Sequence, residues 1–142
     1  MTFFRSRTDV APDHPSRFAA RQIVFAHAAL TDLAAQRLRH DQRIARAGFG
    51  VAEAAEDDTR IVLRSWRFER RGPLDASVYH ARLASDPGGF SLDLALATTQ
   101  PMLLQGEAGF SRKGPQPAQA SHYYSQPQLA VSGTLTREGR AQ

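Results

Sequence analysis

The sequence contains no cysteine, which excludes a disulfide framework, thiolate metal sites and cysteine nucleophiles together. It has no apolar run near the ~18 residues that a membrane-crossing helix needs, so no transmembrane segment is expected. Lysine is almost missing: Lys113 stands alone, and every other basic side chain is arginine, as a G+C-rich bacterial genome would dictate. The opening Met1-Thr2-Phe3-Phe4-Arg5 lacks the basic, apolar and small-residue order of an export signal. Internal repeats and a low-complexity tail are also lacking.

What is present suits one globular domain. Of 142 residues, 42% are hydrophobic and 23% are charged, which argues against wholesale disorder. The formal charge is +4, but the basic residues are scattered rather than clustered, so no nucleic-acid partner is expected. A strand-like opening at Phe3 and Phe4, and a strand-like 131–136 with no stabilising element after it, read as a piece of a longer protein.

Turn chemistry punctuates the chain every ten residues or so. Residues 1–7 read as a strand, followed by turn residues Pro12, Asp13, His14, Pro15 and Ser16. Residues 21–30 fit strand or helix: Ile23, Val24 and Phe25 favour strand, while the alanines do not. Residues 31–47 fit a helix capped by Thr31, or a turn at Thr31-Asp32 and an extended stretch through His40 to Arg46. Gly48 and Gly50 then break the chain. Ile61 to Arg70 reads as one strand with Val62, Trp66 and Phe68 on one side, ended by Arg71-Gly72-Pro73. Residues 77–84 and 90–98 flank Asp86-Pro87-Gly88-Gly89, a hairpin signal, and Phe90, Leu92, Leu94 and Leu96 share one face. Residues 106–120 read as a long loop, and 121–136 as one or two further strands. The expected fold is mainly β: an antiparallel barrel or sandwich with room for one short helix.

Motifs that carry chemistry are scarce. The five histidines, at 14, 27, 40, 80 and 122, form no His-x-His or His-x-x-x-His pair with an acid nearby, so no metal site is expected. His40 and Asp41 are the best acid–base candidates by residue type, although neighbours in a strand point to opposite faces. Gly109-Phe110-Ser111-Arg112-Lys113-Gly114 fails as a nucleophile elbow, because Lys113 stands where glycine is needed, and as a phosphate loop, because Pro115 follows Gly114. Tyr123 and Tyr124 point opposite ways in a strand, which spoils a base-stacking platform but offers one hydroxyl to an apolar cavity. Lys113, in a chain that otherwise uses arginine, is either a functional ammonium or an anchor for its loop on a carboxylate such as Glu107.

The stretch Gln100-Pro101-Met102-Leu103-Leu104-Gln105-Gly106-Glu107-Ala108-Gly109-Phe110-Ser111-Arg112-Lys113-Gly114, followed by residues 118–129 (Ala-Gln-Ala-Ser-His-Tyr-Tyr-Ser-Gln-Pro-Gln-Leu), resembles the lipocalin-like AttH family. That family includes the carotenoid 1,2-hydratases (hydroxyneurosporene synthases). Phe18-Ala19-Ala20-Arg21-Gln22, Phe25-Ala26-His27, His40-Asp41-Gln42-Arg43 and Ala47-Gly48-Phe49-Gly50 match it in the same order. His122 and Gln126 depart from it, standing where an aromatic and an arginine are commoner.

The resemblance implies one lipocalin-like domain over 1–142, most of the first of two barrels and incomplete as a barrel, with strands 1–7 and 128–137 left at open edges. It implies a periplasmic or cell-envelope setting for the full-length protein and no cofactor. Two activities follow from it. One is a cofactor-independent hydro-lyase that adds water to an isolated carbon–carbon double bond of an isoprenoid, with a shielded acid as proton donor. The other is a non-catalytic protein that holds a hydrophobic small molecule and works beside an ABC transport system. The polar groups matched most densely to the family, Gln105, Ser111, Lys113 and Ser125, are the candidate ligand-binding residues, and Asp41, His40, Tyr123 and Tyr124 the candidate catalytic ones.

Overall fold

The computed structural model describes residues 1–11, 13–117 and 119–141. Its architecture is antiparallel β throughout, with one short 3-10 turn at Leu74–Ala76. Three strands, β1 (Thr2–Arg7), β2 (Gln22–Asp32) and β3 (Arg37–Arg46), form a small sheet in sequence order. A larger sheet is built from β4 (Ala52–Ala54), β5 (Arg60–Leu63), β6 (Trp66–Arg71), β7 (Val78–Ser85), β8 (Phe90–Ala97), β13 (Ala130–Arg137) and β14 (Arg140–Ala141). Its order is β14-β13-β8-β7-β6-β5-β4, so neighbours in sequence are mostly neighbours in space. The sheets face each other and do not close into a barrel.

The core lies between them. Alternation on β2 buries Val24, Ala26 and Ala28, and these join Leu63, Trp66, Leu83 and Phe90 of the large sheet in one cluster. Small alanines on β2 let the sheets approach closely enough for Trp66 to be fully buried. Its indole N–H donates to the Ala84 carbonyl at 2.8 Å, and the Arg43 guanidinium lies 4.5 Å over its ring.

Several sequence expectations change at this level. Residues 31–47 are not helical: β2 and β3 form a hairpin whose turn is held by Asp32, which accepts the Ala35 N–H at 3.1 Å. Buried Asp32 also accepts from Arg137 at 2.6 Å, which ties the hairpin tip to the end of β13. The single strand expected over 61–70 is two, because Arg64 adopts a positive φ of 57° and the chain reverses to pair Leu63 with Trp66. Val62 therefore pairs with Arg67, while Ile61 shares the face of Trp66 and Phe68.

The supposed loop over 106–120 belongs to a stepped hairpin. In it β9 (Leu103–Leu104) pairs with β12 (Tyr124–Ser125), and β10 (Phe110–Arg112) with β11 (Ala120–His122). After β13 the chain does turn back, and Arg140–Ala141 pairs with Thr136 and Arg137. The 86–89 hairpin and the apolar face of β8 stand as expected. So do the open edges, with β1 outermost in its sheet and β13 covered beyond β8 only by the two residues of β14.

Candidate functional site

Period-two alternation puts Trp66, Phe68 and Arg70 of β6 on the inner face, and the β6–β7 register sets Tyr79 opposite Arg70. Phe68 stacks on Phe3 at 5.5 Å and on Tyr79 at 5.5 Å, so three aromatic rings form a continuous wall. The wall continues on β8 through Leu96. Together with Leu129 these residues line an apolar trough of about 450 Å³.

The trough opens into a polar mouth of about 550 Å³, where Arg5, Asp58, Arg70, His122 and Gln126 meet Tyr79 and Tyr124. Thr59, Tyr79, Tyr124 and Gln126 line both spaces, which makes them one cleft. The stepped hairpin carries Tyr124 over the cleft, where it lines the same space as buried Tyr79.

Charges at the mouth are tightly matched. Arg70 donates from Nε and from a terminal nitrogen to both oxygens of Asp58, each at 2.7 Å, in a bidentate pair. Its other terminal nitrogen donates to the Gly72 carbonyl at 2.8 Å and to the Ser77 hydroxyl at 3.1 Å. The Arg70 bonds and the Thr59 N–H hold the Asp58 carboxyl below its usual range, and Asp58 in turn raises Arg70. Burial, reinforced by Tyr124, pushes the Tyr79 phenol up to about 12. At neutral pH the cleft thus holds a neutral phenol beside a closed ion pair. A larger hollow of about 670 Å³ runs along β7, β8 and β13, but its ionisable lining, Arg82 and Asp93, is exposed and paired at 3.4 Å.

The candidate residues named from sequence fall into four places. Tyr124 lines the cleft, as do His122 and Gln126. Lys113, Ser111 and Tyr123 form a second group on the stepped hairpin: the Lys113 ammonium donates to the Ser111 hydroxyl at 3.0 Å and lies 5.5 Å over the Tyr123 ring. Lys113 therefore anchors on a hydroxyl and a ring rather than on Glu107. Gln105 donates to the Ser125 hydroxyl at 3.2 Å. His40 and Asp41 lie on β3, with His40 exposed and Asp41 3.8 Å from Arg43, and neither lines the cleft. Arg70, Asp58 and Tyr79 were not foreseen, although an arginine two residues beyond Phe68 on an apolar face was a visible signal. Among the described residues no group of three or more His, Asp or Glu is placed to hold a metal ion, and no helix is long and apolar enough to cross a membrane.

Two antiparallel sheets around an apolar cleft with a polar mouth define a calycin-like β protein. The AttH-like family profile matches residues 1–142, and the chain belongs to that family. It is similar to a crystal structure from Nitrosomonas europaea of a protein provisionally named AttH, with 45% identity and a TM-score of 0.78. The match covers 98% of this chain and 39% of that one, so this chain spans well under half of that relative's length. No curated protein matches the chain.

Proposed function

We propose that this domain binds an elongated hydrophobic small molecule, with the apolar body along Phe3, Phe68 and Leu96 and the polar end beside Tyr124. The observation that carries this reading is the continuity of the trough and the mouth through Tyr79 and Tyr124. Membership of the AttH-like family agrees with it and leaves the ligand open. Carriage of that ligand in the cell envelope, alongside an ABC transport system, is the setting we propose on the family resemblance.

Hydration of an isolated double bond, the other activity the resemblance implies, requires a carboxyl group kept protonated by apolar surroundings. Of the carboxylates lining the cleft, Asp58 is held ionised by Arg70, and Glu56 and Asp57 are exposed. The cleft favours binding over turnover. Titration with the apolar dye N-phenyl-1-naphthylamine tests this: saturable, blue-shifted emission is expected, weakened in Leu96→Arg. Incubation with a lycopene-type polyene that yields a hydrated product would instead support the hydratase.

A further inference from the structure

The polar mouth carries a second layer of information, which rests on the ligand-binding reading above. Arg70 stands opposite Tyr79 at the end of the aromatic wall, and a carboxylate-headed ligand would need it. It is already spent. Four of its five N–H donors go to Asp58, Gly72 and Ser77. A carboxylate head would have to break the bidentate Arg70–Asp58 pair, whose acid is partly exposed, and would then sit beside the Asp58 charge as a like charge. Arg5, the other cation at the mouth, donates to the Ala55 carbonyl at 2.7 Å and is exposed, so solvent screens its pull on an anion. Lining carboxylates (Glu56, Asp57, Asp58) outnumber the two arginines, so the mouth as a whole repels an anion.

The two phenols give the opposite preference. Tyr79 and Tyr124 together bring two phenolic O–H donors to the cleft they both line. Both stand at the seam where the trough meets the mouth. Burial keeps Tyr79 protonated far above neutral pH, so that donor is not lost to ionisation. A donor of this kind needs an acceptor.

We infer that the cleft selects amphiphiles whose head is uncharged and accepts a hydrogen bond, such as an ester, carbonyl or hydroxyl on a long apolar chain, and rejects those headed by a carboxylate. The chemistry is specified by the closed Arg70–Asp58 pair and the two phenolic hydroxyls at the seam, and it would apply to any chain length the trough admits.

Displacement of N-phenyl-1-naphthylamine by methyl dodecanoate, dodecanol and dodecanoate, at neutral pH and below micelle formation, tests the inference. The ester and the alcohol should displace the dye at concentrations about fivefold below those dodecanoate needs, the cost of breaking a partly exposed ion pair. Asp58→Asn, which unmatches Arg70, should reverse part of that gap by tightening dodecanoate binding. Should that variant misfold, Tyr79→Phe with Tyr124→Phe removes both hydroxyls and should narrow the gap by weakening only the ester and alcohol. Dodecanoate binding as tightly as the ester in the unaltered chain overturns the inference while leaving the ligand-binding reading intact. Failure of the dye to bind saturably, with no displacement by any of the three, overturns both.

Discussion

Burial of Tyr79 against Phe68 has a direct optical consequence. Of the three tyrosines, Tyr79 should ionise only near its raised value of about 12, and Tyr79→Phe should delete that late step from a phenolate absorbance titration. Since the folded state holds this proton more tightly than the unfolded one, the same group contributes stability below about pH 10, lost as pH climbs toward 12. Asp58 and Asp32 act in the other direction. Arg70 lowers the Asp58 carboxyl, and the Ala35 N–H followed by Arg137 lowers Asp32. Both contribute stability above about pH 4 that is lost as pH falls below it, so the thermal midpoint should drop on acidification, less steeply in Asp32→Asn. Gly133 is a purely steric matter. Its φ is +130°, and an added Cβ would overlap the Asp93 carbonyl oxygen of β8. Gly133→Ala should cost about 2 kcal/mol or more in chemical denaturation.

At the scale of elements, the β2–β3 hairpin is clasped to the far end of the chain. Asp32 at its tip takes Arg137, and Arg39 pairs with Glu138 while donating to the Gly88 carbonyl at 3.3 Å. Asp32→Ala should release the tip, which limited proteolysis would register as new cleavage within 33–36 while the 86–89 turn stays protected. The stepped hairpin over 103–125 depends on main-chain bonds at its steps, from Gln105 N–H to Tyr123 at 3.0 Å and from Tyr123 N–H to Gly109 at 2.8 Å. It buries little of its own apolar surface, with Leu103, Leu104 and Phe110 all exposed. It is therefore the element whose position ligand contacts at Tyr124 would influence most.

At the scale of the molecule, the sheets share one core. Leu63→Ala, at a fully buried position, should cost about 2–5 kcal/mol and shift a single transition rather than loosen one sheet alone. Far-ultraviolet dichroism and Trp66 fluorescence should stay coincident through that transition. A ligand held in the cleft touches β1, β6, β8 and β12 together. Saturation at about a hundred times its dissociation constant should add about 2.7 kcal/mol and raise the midpoint by several degrees.

By itself the sequence determined the antiparallel β class, the strands read over 1–7 and 90–98, and the turn at 86–89. These follow from period-two patterning and from turn residues acting over a few positions. The AttH-like kinship rests on long motifs of the same local kind. The reversal at Arg64 was not legible, because no glycine, proline or asparagine marks it; the chain turns there so that Leu63 and Trp66 can both enter the core. The pairing within 106–120 was hidden by a Gly- and Pro-rich composition that reads as loop. Tyr124 was within reach of sequence reasoning as a hydroxyl in a strand facing a cavity. Arg70 was half legible, inward by alternation, but its partner Asp58 comes from the connection between β4 and β5. Only the tertiary structure decided that the two would neutralise each other beneath Tyr79 and Tyr124. Alternation fixes which way a side chain points, whereas the match of its charge depends on which strand folds beside it.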